Sequence, residues 1–211
     1  MTTSTPDLAP NHHAEHPGFT GAQGLLFALA FLLGRGADAD LAVRLSRLGP
    51  TDDVVDLGCG PGVAARRAAA AGVASVVGID PAPVMLRVAR LAGRVRGRRS
   101  PVVRYQEGAA EALPLPAGSA SVLWSLSSVH HWPDLDRGID EVLRVLRPGG
   151  RFVAIEHQSP DGATGFASHG WTRGQADRFA ARLATAGFTD VQVESHLQGK
   201  RPPVSVLAVR P

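Results

Sequence analysis

At 211 residues, with 44% apolar and 19% charged side chains, the chain is long enough for one α/β domain and too short for two full ones. That composition excludes a disordered or membrane-embedded protein, and a net charge of +3 gives no reason to expect nucleic acid as a partner. A single cysteine, Cys59, rules out an intramolecular disulfide and a thiolate metal cluster, which fits a reducing, cytoplasmic location.

Residues 1–10 are rich in Thr, Ser and Pro and are expected to be disordered. Asn11, His12, His13, Glu15 and His16 come next as a dense polar cluster ahead of Phe19. Adjacent histidines point apart and no helical pairing supports chelation, so no metal site is expected. A lid carrying His13 and Phe19 and a solvated tail both stay open. Leucines at helical spacing predict helices over Gly24 to Leu33 and Asp40 to Leu48. The first is shorter than the ~20 residues of a membrane span and has no preceding Lys or Arg, so it is read as a buried or lid helix. Residues 1–50 are thus expected to form a tail and lid, and 51–211 the main domain.

The period then changes. Asp53 to Leu57 reads as a strand, followed by a glycine turn and an alanine-rich helix from Val63 to Ala71; Ser75 to Ile79 and Pro83 to Ala92 repeat the unit. Further strands are predicted at Val102 to Gln106, Ser121 to Leu126, Phe152 to Glu156, Val191 to Glu194 and Val204 to Val209. Helices are predicted near Leu135 to Leu146 and Thr172 to Ala186. Such alternation means a doubly wound, mostly parallel sheet. The last two strands, joined through Gly199, Pro202 and Pro203 without a helix, are expected to pair antiparallel.

The sharpest feature is the run from Val54 to Gly62, in which a buried strand delivers Gly58, Gly60 and Gly62 immediately before a helix. Glycines there allow a tight turn and close approach of a ligand, and free amides at the helix start favour an electronegative group. Asp56 beside the turn can take an ammonium group. Asp80, closing the next strand, can accept from ribose hydroxyls. These features alone leave a nicotinamide cofactor and S-adenosylmethionine (SAM) both open.

Two motifs further along the chain narrow the choice, and with them the chain resembles the class I SAM-dependent methyltransferases, particularly the small-molecule branch that includes ubiquinone and menaquinone biosynthesis enzymes. Asp56 to Gly62 is similar to that family's first motif, Gly108 to Pro114 to its adenine-side loop, and Arg144 to Gly150 to its turn before the fifth strand. The resemblance implies a Rossmann-like seven-stranded sheet with an antiparallel last strand, an N-terminal helical lid, and SAM as cofactor. It further implies Gly58, Cys59 and Gly60 along the methionine part of SAM, Asp56 near its amino group, and Asp80 with Pro81 at the ribose. Ala109 and Ala110 would flank adenine, and Ser125 would join the cofactor site from the fourth strand. Two departures stand out: Ala109 replaces a common aspartate that accepts from the adenine amino group, and Ala120-Ser121 replaces a frequent Phe-Asp, read as a packing variation.

On the acceptor side, His130 and His131 come after the fourth strand, and Glu156 with His157 closes the fifth, all on the carboxyl edge where such folds bind ligands. A neutral imidazole can take a proton from an acceptor, so His130, His131 and His157 are the catalytic candidates; loop capping is the plain alternative. Arg87, Arg90 and Arg94 share a helix face and Arg96, Arg98 and Arg99 extend it, yet without interleaved aromatic residues they are read as a solvated face, and RNA or DNA is disfavoured. The expected partner is a small-molecule methyl acceptor. A nicotinamide oxidoreductase would favour G-x-G-x-x-G spacing, whereas the glycines here fall at every second position; a nonenzymatic SAM-binding protein is the other alternative.

Overall fold

The computed structural model describes residues 9–15, 21–34, 36–94, 102–196 and 202–211. Residues 1–8 of the expected tail, His16, Phe19, Arg96, Arg98, Arg99 and Gly199 lie outside the described residues.

Two helices lead the chain, α1 (Gly21–Gly34) and α2 (Gly36–Ser46). Then come β1 (Asp53–Leu57), α3 (Val63–Ala70), β2 (Ser75–Asp80), α4 (Pro83–Ala92) and β3 (Val103–Glu107). The second half adds β4 (Ala120–Leu126), α5 (Leu135–Val145), β5 (Leu146–His157), α6 (Arg173–Thr185), β6 (Thr189–Ser195) and β7 (Pro203–Val209). The seven strands form one sheet in the order β3-β2-β1-β4-β5-β7-β6. β1 pairs parallel with β2 and β4, while β7 runs antiparallel to both β5 and β6. The strand order reverses between β1 and β4, which opens a crevice at their carboxyl ends.

Period-2 alternation sorts the side chains into two cores. Val55, Leu57, Val77, Ile79 and Leu123 face α5 and α6 with Trp171 and Phe179, whereas Val54, Val76, Val122, Trp124 and Val153 face α2 and α3. Ala39, Leu41 and Ala42 put α2 inside the second core. α1 packs on α4 through Ala28, Met85 and Val88, leaving Leu25, Leu26 and Leu29 exposed. It is therefore a covering helix rather than a buried one. Among the described residues no helix is long and apolar enough to cross a membrane.

Three local features differ from expectation or explain it. β5 begins at Leu146, ahead of the predicted Phe152, because Leu146 already pairs with Ala120 before a register shift carries the ladder past the glycine bend. The Ser121 departure is a polar joint: its hydroxyl donates to Asp52 Oδ1 at 2.6 Å and accepts from the Asp53 amide at 3.0 Å. Asp52 also pairs with Arg151 at 2.7 Å. The third is Tyr105, whose ring fills the space beside Gly62, Gly78 and Gly93: a Cβ at Gly78 would lie 2.8 Å from that ring.

Ala9 and Pro10, read as part of a disordered tail, are anchored instead. The buried Trp171 indole donates to the Pro10 carbonyl at 2.7 Å, and Gln175 donates to the Ala9 carbonyl at 3.2 Å. Gln175 is also half of the capping box that starts α6 with Thr172.

Candidate active site

At the crevice, Phe31, Asp38, Asp56, Gly58, Cys59, Gly60, Pro61, Leu126 and Ser127 line an open cleft of about 490 Å³, solvent at its mouth included. β1 delivers Asp56, fully buried, to its inner end. The turn after β1 is glycine for two distinct reasons. Gly58 has φ +72° and a Cβ there would collide with Ser128 Oγ, whereas Gly60, φ +50°, faces open space. The first glycine admits the chain after β4; the second leaves room for a ligand.

The amides of this turn are not free, contrary to expectation. Gly58 and Cys59 N–H both donate to the Ile79 carbonyl, at 2.8 and 2.9 Å. Gly60 N–H donates to Asp80 Oδ2 at 2.8 Å, and the Ala65 amide donates to Asp56 Oδ2 at 2.9 Å. The two acids thus absorb donors that an anion would otherwise use. The cleft is left with carboxylate character and suits a cation.

Burial pushes the Asp56 carboxyl up to about 7, with the nearby Asp80 charge adding to the rise and the Ala65 amide opposing it. Burial also raises Asp80, against the amides of Ala82 and Gly60, and raises the Cys59 thiol well above its ordinary range. Cys59 is therefore a neutral wall of the cleft, not a nucleophile.

The remaining cofactor candidates divide. Pro81 is exposed just past Asp80, and Ala109 sits partly exposed in the loop after β3, bridged to Ala112. Ala110 is buried in the first core, Ser125 of β4 is fully buried, and Leu126 and Ser127 after it line the cleft. Ser127 holds φ +49°, a strained value that aims the chain from β4 into the cleft wall. Glu141 and Arg144 of α5 pin the loop: Glu141 accepts from the Leu113 amide at 2.7 Å, and Arg144 donates to the Leu115 carbonyl at 2.9 Å.

The catalytic candidates are not equivalent. His130, buried, donates from Nδ1 to Glu156 Oε2 at 2.8 Å, deep in the sheet edge. His131 is half-buried beside it, and burial, with the His130 charge adding to it, pushes its imidazole down to about 4, so it is neutral at pH 7. His157 instead turns toward α2, its Nε2 3.3 Å from Asp38 Oδ2. That places it behind the cleft wall, apart from the other two.

Three contributors were invisible in sequence. Asp38 and Phe31 come from the leading helices. His169 arrives because the segment after β5 closes on itself: Trp171 N–H donates to the His157 carbonyl, and Ser159 N–H donates back to Trp171. The N-terminal turn closes over the same place, with His13 N–H donating to the His130 carbonyl at 2.9 Å and its ring stacked on His169 at 4.3 Å.

Residues 55–154 match the family described as a methyltransferase domain. The methyltransferase YcgJ of Bacillus subtilis is 32% identical over 126 residues, covering 60% of this chain and 49% of that one. The 27-O-demethylrifamycin SV methyltransferase of Amycolatopsis mediterranei is 32% identical over 164 residues, 72% of this chain and 59% of that one. The chain thus spans about half the length of these curated relatives. In fold it is similar to Haemonchus contortus phosphoethanolamine N-methyltransferase 2, solved with phosphomonomethylethanolamine and S-adenosylhomocysteine: TM-score 0.73, 17% identity, 97% of this chain and 60% of that chain. The motif order, the sheet order and the cleft agree with that match: residues 55–154 are similar to a methyltransferase domain, and the fold is that of the class I SAM-dependent methyltransferases.

Proposed function

We propose that the chain binds SAM in the β1–β4 cleft and transfers its methyl group to a small-molecule acceptor, in a cytoplasmic setting. The observation that carries this is the pair of buried acids, Asp56 and Asp80, on neighbouring strand ends around a glycine turn that is open at Gly60. These residues suit SAM chemically. Asp56 offers a carboxylate to the ammonium group, and each Asp80 oxygen accepts one backbone amide yet keeps a lone pair for a ribose hydroxyl. Pro61 and Cys59 supply apolar wall. Adenine would be held beside Ala109 and Ala110 by backbone and packing, since no side-chain acceptor stands at Ala109.

When bound, SAM supplies an electrophilic sulfonium methyl. The protein's part is orientation and exclusion of water: Phe31 of α1 lines the cleft, in keeping with residues 1–50 acting as a lid, and His130 and His131, just past the cleft-lining Ser127, would face the acceptor. In that setting His131 is neutral at pH 7 but, pushed down to about 4, a weak base, so it would orient the acceptor more than deprotonate it, with His130 held in place by Glu156. His157 positions α2 through Asp38.

Calorimetric titration with SAM and S-adenosylhomocysteine tests the reading. Saturable binding that falls at least tenfold in Asp80→Ala is expected; absence of binding by the unaltered protein would overturn it. A second reading, SAM binding without methyl transfer, is motivated by Ala109. Turnover of SAM to S-adenosylhomocysteine with any acceptor excludes it.

A further inference from the structure

Five imidazoles gather at the carboxyl edge of β4 and β5. His130 and His131 lie 4.1 Å apart by ring centroid, His13 stacks on His169 at 4.3 Å, and His12 lies 4.5 Å from His13. A structural filler would not need this chemistry, since aromatic or aliphatic side chains pack as well without the repulsion that protonation brings. We propose that three of the five, His130, His131 and His169, form a binding site for a divalent transition-metal ion of the zinc class.

The geometry singles out these three. One ligand atom from each lies within 4.8 Å of the other two. Tetrahedral zinc with Zn–N bonds of ~2.0 to 2.1 Å places ligand nitrogens ~3.4 Å apart, so the rings need to close by about 1.4 Å at most, a matter of side-chain rotation. His12 is committed elsewhere: its Nε2 donates to the Ser168 carbonyl at 2.7 Å, while its Nδ1 accepts from Gln175 at 3.1 Å. His13 stacks on His169, and its Nε2 lies 3.1 Å from Ser168 Oγ.

The surroundings prepare the rings for ligation. His130 Nδ1–H donates to the buried Glu156 carboxylate at 2.8 Å, and His131 Nδ1–H points to the His13 carbonyl at 3.4 Å. In each ring Nε2 is then the nitrogen with the lone pair. A carboxylate behind a ligating histidine is the usual support of such sites, fixing ring orientation and raising ligand basicity. Glu156, 0% exposed, is otherwise an expensive residue to bury in a strand.

Three imidazoles leave a fourth position open, which is the pattern of a reactive rather than a structural zinc site. The site itself does not depend on the methyltransferase reading; its use does. If that reading holds, the open position would take a hydroxyl or enol oxygen of the acceptor, whose proton is then released to water at lower pH. His131 serves there as a ligand and the ion is the device that activates the acceptor.

The test uses untagged protein stripped with chelator, titrated calorimetrically with Zn2+ in the absence of SAM, and Co2+ absorption to report coordination geometry. One ion per chain with a tetrahedral Co2+ spectrum is expected. Affinity should fall at least tenfold in His169→Ala and in His131→Ala, both partly exposed positions, and ~10- to 100-fold in Glu156→Gln. His196→Ala, outside the cluster, should bind as the unaltered protein does. Circular dichroism and thermal unfolding check that each variant folds. Failure of the unaltered protein to take up a stoichiometric ion, or undiminished binding by either His169→Ala or His131→Ala, overturns the proposal. Loss of SAM binding with the metal site intact would instead count against the methyltransferase reading alone.

Discussion

If Asp56 receives the SAM ammonium as a carboxylate, cofactor affinity must track its ionisation. Burial holds the Asp56 carboxyl near 7 in the ligand-free protein, against 3.8 in the unfolded chain. Below 7 the proton competes with the cofactor, and the apparent Kd is multiplied by one plus the ratio of protonated to ionised carboxyl. That factor is about 11 at pH 6, about 2 at pH 7 and about 1.1 at pH 8, so affinity should rise roughly tenfold from pH 6 to 8. The sign for stability is opposite. A raised carboxyl pKa means that the folded state holds a proton which the unfolded state has released; its contribution is full below 3.8 and is lost as pH rises to 7. Asp56→Asn should therefore bind SAM poorly with a flat pH profile, yet unfold at higher temperature than the unaltered protein at pH 8. The gain has a ceiling of about 4 kcal/mol, from about three pK units at 1.36 kcal/mol each. Calorimetric titration across pH 6 to 8, with thermal unfolding of both proteins, reads both effects. A pH-independent Kd for the unaltered protein would refute the assignment of Asp56.

Gly58→Ala should lower Tm, because its Cβ would run into Ser128 Oγ in a left-handed backbone. Adding Ser128→Ala should not restore it, since the Ser128 Cβ still stands at 2.5 Å; full rescue would show that the clash is relieved by backbone movement. Trp171→Phe removes the buried donor to the Pro10 carbonyl and should cost about 1 to 3 kcal/mol, with faster proteolysis near residue 10; unchanged cleavage would mean that the N-terminal turn is held by its other bonds. Asp52 is lowered overall: burial would raise it, but the bonds from Ser121 and Gly49 and the Arg151 charge outweigh that. Its stabilisation is present above its unfolded value and disappears as pH falls through the folded one. Ser121→Ala should therefore be less stable near neutrality, with the difference shrinking as pH falls below 3.8 in urea unfolding.

The parts of this molecule that were legible in sequence are those whose physics is local. The strand, glycine turn and helix from Asp53 to Ala70 are written in contiguous residues, and the antiparallel pairing of β6 with β7 comes from the missing crossover helix. What stayed hidden depends on partners distant along the chain. Pro10 and Trp171 are 161 positions apart, and nothing near Pro10 announces the indole that holds it. His169 lies in a segment without periodicity and reaches His130 only because the chain folds back at Trp171. The amides after β1 looked available because a strand-and-turn pattern says nothing about the carbonyl of Ile79 on the next strand. Asp38 lies ahead of the helix predicted over Asp40 to Leu48 and drew no notice, because only the packing of α2 brings it to the cleft.

Tyr105 and Gly78 occupy one shared volume, since the ring lies where any Cβ on the central glycine of β2 would go. Their identities are therefore coupled across generations: a descendant that trades Tyr105 for a small residue opens a void, and a side chain at position 78 becomes the compensating change. Drift at either site alone is blocked, while the double change is a connected path. A library randomised at both positions and selected for folding should recover large-with-small pairs in both directions and few large-with-large ones.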